Sequence, residues 1–341
     1  MRLDNDDWQK RKFSTSPVIR RAVSGRTSDV VGLAGSAGLG ERLASRADGK
    51  TKTDSVRTPY GSVDVVAGTI GGGPFAAVAK SGVAPFPSHN LPFRATIFAL
   101  SNVGCTRFLS ASLATSMDPR LRLADCLVAD DFIDLTGRSI TFFDGGLEGT
   151  HHAEMEAPFC ARLSREFTSS ARSFGMRVAH GGTVATVPGP HHPTMAEAGR
   201  LAAMGAIAAS FSASTEAKLA RELGICFTSA ALVVREAAPH KDWRAGGARE
   251  SSVGGLTEAE LLRAFAEGRE APGEAPSPTP SRARPRAKRP GSRGARELEV
   301  VKAKLQDADR RLEQAVAAFV PHAAALPPCP RCARDPGPRR A

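Results

Sequence analysis

The chain has 341 residues, of which 41% are hydrophobic, 24% charged and 6% aromatic, with a formal charge of +11. That is enough apolar material for one large α/β domain or two smaller ones, so a wholly disordered or fibrous chain is excluded. The basic charge does not mark a basic core: residues 281–296, 1–30 and 329–341 carry +7, +3 and +3, which leaves the rest close to −2. Contact with protein, RNA or DNA would therefore be made by the basic tails.

Residues 1–29 read as a basic arm. Its Arg and Ser content resembles an organelle address, but Asp4, Asp6 and Asp7 precede the basic residues. A cytoplasmic protein is expected, with a mitochondrial one as the alternative. No apolar run approaches the length of a membrane span and no secretory signal is visible, so no membrane partner is expected.

Val30 to Ala34 reads as a short buried strand entering the small-residue turn Gly35-Ser36-Ala37-Gly38, where backbone N–H groups can approach an anion. Thr58-Pro59-Tyr60-Gly61 opens a hairpin with strands Val63 to Ile70 and Phe75 to Ala79, joined through Gly71-Gly72-Gly73. Phe93 to Asn102 has one apolar face and is expected to be helical. Arg107 to Leu113 and Asp125 to Phe132 read as strands, and Ala161 to Phe174 as an amphipathic helix stopped by Gly175. Val184 to Val187, Ala206 to Ser210 and Ile225 to Val234 are further strands, with helices from about Thr194 to Met204 and Thr215 to Leu223 between them. Such alternation implies a three-layer α/β domain, residues 30–268, with a central mixed sheet flanked by helices.

Residues 269–296 are rich in Pro and Arg and read as a solvated linker; Arg282, Arg284, Arg286, Lys288 and Arg289 lack the interleaved aromatics of a nucleic-acid surface. Residues 297–320 place Leu298, Val301, Leu305, Ala308, Leu312, Ala315 and Phe319 on one helical stripe, either docked on the domain or paired with a partner. In the tail, 321–341, Cys329-Pro330-Arg331-Cys332 is half a zinc knuckle with no second pair in the sequence. The pairs His151-His152 and His191-His192 have no acid or Cys at ligand spacing. No metal is expected, and Cys105, Cys126, Cys160 and Cys226 read as small core residues.

Several segments together carry a family signal: Thr58-Pro59-Tyr60-Gly61, Phe93-Arg94-Ala95-Thr96-Ile97-Phe98, Gly104-Cys105-Thr106, Asp130-Asp131-Phe132-Ile133-Asp134, Phe142-Phe143-Asp144-Gly145, Glu156-Ala157-Pro158-Phe159 and the stretch Gly182 to Phe227. In this order the chain, from about Val30 to Trp243, resembles the 5′-methylthioadenosine phosphorylase branch of the purine nucleoside phosphorylases. The resemblance implies a homotrimer, inorganic phosphate as co-substrate, no organic cofactor, and cleavage of a purine nucleoside to base and ribose-1-phosphate derivative.

It also implies a site in which many polar positions have changed. The phosphate loop Gly-Gly-Thr-Gly of the family corresponds to a segment with Ser36 and Ala37, so Ala37 stands for the Thr. The family's Arg-His corresponds to Ala79 and Lys80, and its Thr-Ala pair to Ser112 and Leu113. The Asn-Met-Thr segment corresponds to Ser210, Phe211 and Ser212, where Ser212 would still serve phosphate. The stacking segment corresponds to His191, His192 and Pro193. Arg235 stands where the family has the Asp that shares a proton with purine N7, and Ala237 where it has a second acid. Glu236, adjacent on the strand, is expected to face the other way. These changes imply a weak or inactive pseudoenzyme with a binding or assembly role; an active phosphorylase with a remodelled site and an enzyme of altered chemistry remain alternatives.

Overall fold

The computed structural model describes residues 29–35, 39–79, 91–143, 152–237 and 292–333. In chain order the elements are β1 (Val30–Gly35), α1 (Leu39–Ala44), β2 (Lys52–Thr58), β3 (Gly61–Ile70), β4 (Gly73–Ala79), α2 (Phe93–Asn102), β5 (Cys105–Ser116), β6 (Cys126–Val128) and β7 (Asp131–Asp134). They continue as α3 (Ala161–Ser173), β8 (Val178–His180), β9 (Thr183–Thr186), α4 (Met195–Ala203), β10 (Ala206–Ser210), α5 (Ala213–Glu222), β11 (Cys226–Glu236), α6 (Ser292–Ala325) and α7 (Pro330–Ala333). Residues 269–291 of the linker, residues 1–28 of the basic arm, Trp243 and His151 lie outside the described residues, while the last five residues of the linker belong to α6.

Among the described residues eleven strands form one mixed sheet, ordered β2-β3-β4-β1-β5-β10-β9-β7, with β11 on β5 and β6 and β8 beyond it. Strand residues alternate between two cores. Val31, Leu33, Leu109, Leu232 and Val234 face a layer made by α1, α3 and α6, while Ala34, Phe108, Ala231 and Val233 face α2 and α5. Period-two alternation with apolar residues on both faces is what a sheet covered on two sides requires. Its three layers are those anticipated from the alternation of strand and helix.

The apolar stripe of α6 is spent on this domain. Leu305, Leu312, Ala315, Val316, Phe319 and Val320 are all buried in the first core, and Phe319 meets Phe167 of α3 edge-on, with ring centroids 5.7 Å apart at 79°. Three ion pairs flank the contact: Arg42 to Asp309 at 2.5 Å, Arg42 to Glu313 at 3.1 Å and Arg46 to Glu313 at 2.5 Å. Pro321 lies over the β3–β4 turn, so close that a side-chain carbon on Gly73 would stand 2.7 Å from the Cα of Pro321.

Three local expectations need correction. Asp125 to Phe132 is not one strand: β6 pairs with β11 and β8, whereas β7 pairs with β9. The chain crosses between them at Asp130, whose carboxylate accepts the Gly182 N–H at 2.8 Å. The strand read as Arg107 to Leu113 runs on to Ser116, and its last residues keep β11 as a parallel neighbour but exchange β1 for an antiparallel pairing with β10, Thr115 opposite Ala209 and Ser116 opposite Ala208. Thr58 to Gly61 is the turn into β3 from β2, a strand whose polar sequence hides it, since Val56 alone among its residues is buried.

Candidate functional site

The switch of partner along β5 makes a fork in the sheet. Up to Ser110, β5 lies between β1 and β11; at Thr115 and Ser116 it lies between β10 and β11. β10 runs antiparallel to β5, so the carboxyl ends of β1 and β10 approach each other along one edge of β5, with β11 along the other, and ligands of open α/β sheets bind outside strand carboxyl ends at such a switch point. Of the sequence-expected positions, Arg235, His192, Phe211, Ser112, Ser210 and Ser212 lie at or beside it.

Arg235 stands opposite Thr115, after an irregularity in the β11 register between Val233 and Arg235. His192 approaches from the loop after β9, its Nδ1 3.0 Å from Thr115 Oγ1. Its ring lies 5.7 Å from that of Phe211, tilted by 44°. Either tautomer leaves Nε2 free to face a ligand: as donor when the Thr115 hydroxyl donates to Nδ1, as acceptor when Nδ1–H donates to Thr115. Burial, and then the positive charge of Arg235, hold the His192 pKa below its ordinary value, so the ring is neutral at pH 7.

Four buried atoms in or beside this fork have no hydrogen-bond partner among the described residues: Ser112 Oγ, His192 Nε2, Ser210 Oγ and Arg235 Nε. An unpaired buried polar group costs about 1–3 kcal/mol, and such groups gather where a polar ligand can satisfy them. Ser212 is buried at the start of α5, where its carbonyl accepts the Glu216 N–H at 3.0 Å.

Glu236 does not stand in for the missing acid. Its side chain points away from the fork, accepting the Leu123 N–H at 2.7 Å and lying 3.6 Å from Arg122. Successive residues of a strand face opposite sides, and the register irregularity ahead of Arg235 does not bring Glu236 round.

Other expected positions are placed elsewhere. His191 is exposed. Ala237 is packed with Met117, Ala185 and Ala198, while Pro193 is buried and Leu113 packs against the first core. Ser36, Ala37 and Lys80 lie outside the described residues, and Ala79 is described only as the last residue of β4.

Two residues of the site were not anticipated. Thr115 lay beyond the expected end of its strand. Arg138 spans the loops around the fork, donating to the carbonyls of Phe211 at 3.3 Å and Pro188 at 3.2 Å and to Thr215 Oγ1 at 3.4 Å, with its guanidinium over the Phe93 ring at 5.3 Å. Desolvation lowers its pKa, but an arginine begins so high that it stays charged. No local sequence pattern marks this residue; its partners are 50 to 77 positions away.

The half knuckle at the chain's end also has the second pair that its sequence lacked. The Sγ atoms of Cys160, Cys226, Cys329 and Cys332 all lie within 4.8 Å of one another. Cys160 and Cys226 are thus members of a cluster as well as core residues.

Residues 32–262 match the family model described as the Phosphorylase superfamily. The chain is 32% identical over 195 residues to a 6-oxopurine nucleoside phosphorylase of Pyrococcus furiosus, covering 55% of this chain and 73% of the relative. It is 35% identical over 186 residues to an S-methyl-5′-thioadenosine phosphorylase of Thermofilum pendens, covering 53% and 70%. Among solved structures, a ligand-free methylthioadenosine phosphorylase of Schistosoma mansoni superposes with a TM-score of 0.64 at 21% identity, over 88% of this chain and 92% of that one, which supports the fold. The chain belongs to the phosphorylase superfamily, among the methylthioadenosine and purine nucleoside phosphorylases.

Proposed function

We propose that this family member keeps a ligand pocket at the fork of β5, β10 and β11 but carries out phosphorolysis of methylthioadenosine and purine nucleosides weakly or not at all, serving in binding or assembly. The observation that carries this reading is Arg235, held opposite Thr115 and beside a neutral His192 while Glu236 turns away. A departing purine gathers negative charge and takes a proton at N7. A carboxyl group can share that proton, whereas a guanidinium is permanently protonated and acts only as a fixed charge and donor. General acids and preorganised donors each commonly contribute a factor of about 10² or more. Replacing several together is incompatible with an unchanged reaction.

A remodelled but active phosphorylase is the second reading, and the unpartnered Ser112 hydroxyl on β5 favours it as a phosphate donor. In either case inorganic phosphate would be the co-substrate, with no organic cofactor. Assembly as a homotrimer and contacts of the basic tails with protein or RNA belong to the same proposal.

The deciding experiment is phosphorolysis of methylthioadenosine, adenosine and inosine by the unmodified chain and by Arg235→Asp, alone and with Ala37→Thr and Ala79→Arg. The expectation is negligible turnover by the unmodified chain and gain in the restored one. Turnover by the unmodified chain within the ordinary range of about 1–10³ s⁻¹ would sink the pseudoenzyme reading. Thermal shift with the same nucleosides tests the pocket itself: no shift with any of them would remove the ligand from the proposal.

A further inference from the structure

The four clustered cysteines come from three separate parts of the fold. Cys160 is the residue that caps the N-terminus of α3, Cys226 opens β11, and Cys329 and Cys332 bracket the start of α7. Cys160, Cys226 and Cys332 are buried, Cys329 is half-buried, and all four are free thiols. The sulfurs of Cys160 and Cys329 are 4.0 Å apart.

This spacing has a chemical meaning. Sulfurs of a disulfide stand about 2.05 Å apart. Four thiolates each about 2.3 Å from a central zinc ion stand about 3.8 Å apart along the edges of a tetrahedron. Four sulfurs that all lie within 4.8 Å of one another, 4.0 Å for Cys160 and Cys329, match the second spacing, none of them more than about an ångström beyond the tetrahedral edge. A small cavity borders Cys160, Cys226 and Cys329 and is lined also by Leu326 and Pro327.

We propose that Cys160, Cys226, Cys329 and Cys332 bind one zinc ion as a closed, four-coordinate structural site that fastens the C-terminal helix and its terminal turn to the domain. Two ligands belong to the body and two to a Cys-x₂-Cys knuckle, the ligand spacing of structural zinc sites. With four protein ligands no position is left for water or substrate, so the site is structural rather than catalytic. Four thiolates and one Zn²⁺ leave a net charge of −2, and the surroundings answer it. Arg107, buried at the start of β5, and Arg162 both border the cavity. Arg107 shares its charge with Asp29 and donates to the Leu326 carbonyl, and Arg162 donates to the Pro328 carbonyl at 3.4 Å, so both also hold the segment that carries the knuckle. The positive end of the α3 dipole faces the same cluster.

The test uses the full chain, purified without chelator or added metal. Elemental analysis is expected to give about one zinc per chain. Replacing zinc by Co²⁺ is expected to give the intense visible bands of a tetrahedral tetrathiolate. The double variant Cys329→Ser/Cys332→Ser is expected to lose at least nine-tenths of the metal, and Cys105→Ser, a buried cysteine outside the cluster, to lose none. Chelation of the wild-type chain is expected to lower Tm by about 10 °C, as loss of several contacts along α6 would. The metal count and the cobalt spectrum need no variant, so a double variant that fails to fold does not protect the idea. Absence of both zinc and a cobalt tetrathiolate spectrum in the reduced chain would overturn it. So would a mapped disulfide among the four cysteines, or iron in stoichiometric amount.

Discussion

Truncating Phe319 to alanine tests whether α6 is an integral part of the core. Phe319 has no exposed surface, and its ring meets Phe167 edge-on at 5.7 Å. Removing a fully buried Phe side chain costs about 3–5 kcal/mol, of which an aromatic pair of this geometry supplies about 0.5–1.5. The ion pairs of Arg42 and Arg46 with Asp309 and Glu313 join buried carboxylates to guanidiniums that keep 21% and 40% of their side-chain surface in water. This solvation on one side brings them nearer the roughly 1 kcal/mol of exposed pairs than the about 3–5 kcal/mol of fully buried ones. Packing therefore dominates the docking of the helix, and Phe319→Ala should destabilise the chain several times more than Asp309→Asn. Urea titration followed by circular dichroism measures the difference, with a Tm decrease of roughly 6–20 °C as the companion reading. Phe167→Ala and the double variant complete a cycle that isolates the ring contact. A cost below about 1 kcal/mol for Phe319→Ala, or a change in subunit number in place of a loss of stability, would refute the docked arrangement and favour a partner helix on this stripe.

Other consequences are more local. Gly73→Ala should cost about 1–3 kcal/mol, because the new methyl meets the backbone of Pro321 rather than a flexible side chain; Gly49→Ala, with nothing within 4 Å, should be near neutral in the same denaturation assay. His192 has a folded pKa below its unfolded 6.5, so its contribution to stability is complete above pH 6.5 and is lost as pH falls toward the folded value. Wild type should lose more stability than His192→Gln between pH 8 and pH 5, and an imidazole resonance titrating at or above 6.5 would contradict this. Arg235→Met removes the second cause of the depression and should move that resonance upward. Glu236→Ala leaves the Leu123 N–H without its acceptor and should cost about 1–3 kcal/mol while leaving nucleoside-induced thermal shifts unchanged; a lost shift would mean that Glu236 reaches the pocket after all.

Local patterns in the sequence were enough where one element makes its own case. Phe93 to Asn102 is helical because apolar residues recur on one face after Pro92, and Thr194 with Glu197 forms the reciprocal cap that starts α4. Asp125 to Phe132 misleads because its apolar character is continuous through the point where the chain changes partner strands, and pairing partners are not written in a strand's own composition. The site divides in the same way. Arg235, Ser210 and His192 were legible through resemblance to the family, since their positions follow its order. Thr115 and Arg138 were not, because each acts through contacts with residues 50 to 77 positions away. The cysteine cluster was hidden for the same reason: Cys160 and Cys329 are 169 positions apart.

β5 and β11 run parallel, Cys226 opposite Arg107 at one end and Arg235 opposite Thr115 at the other. Nine residues at about 3.3 Å each put these ends roughly 30 Å apart. The carboxyl ends hold the altered phosphorylase position, and the amino ends hold the cysteine cluster with Arg107. Over such a span the cluster cannot supply an acid, a Lewis acid or a ligand contact to the fork, whatever it binds. Its effect on the pocket would pass through the fold, as the fastening of α6 against α3 and the sheet. This also constrains how the tails can be tested. Truncating the chain before residue 270 removes α6 and the knuckle together with the basic linker, so lost RNA or protein binding after that truncation would report a damaged core. Deleting residues 270–290 alone takes away Arg282, Arg284, Arg286, Lys288 and Arg289 and leaves α6 and all four cysteines in place. Binding that survives this deletion with its salt dependence intact would place the contact on the folded body or the two other basic segments, and binding that disappears would place it on the linker.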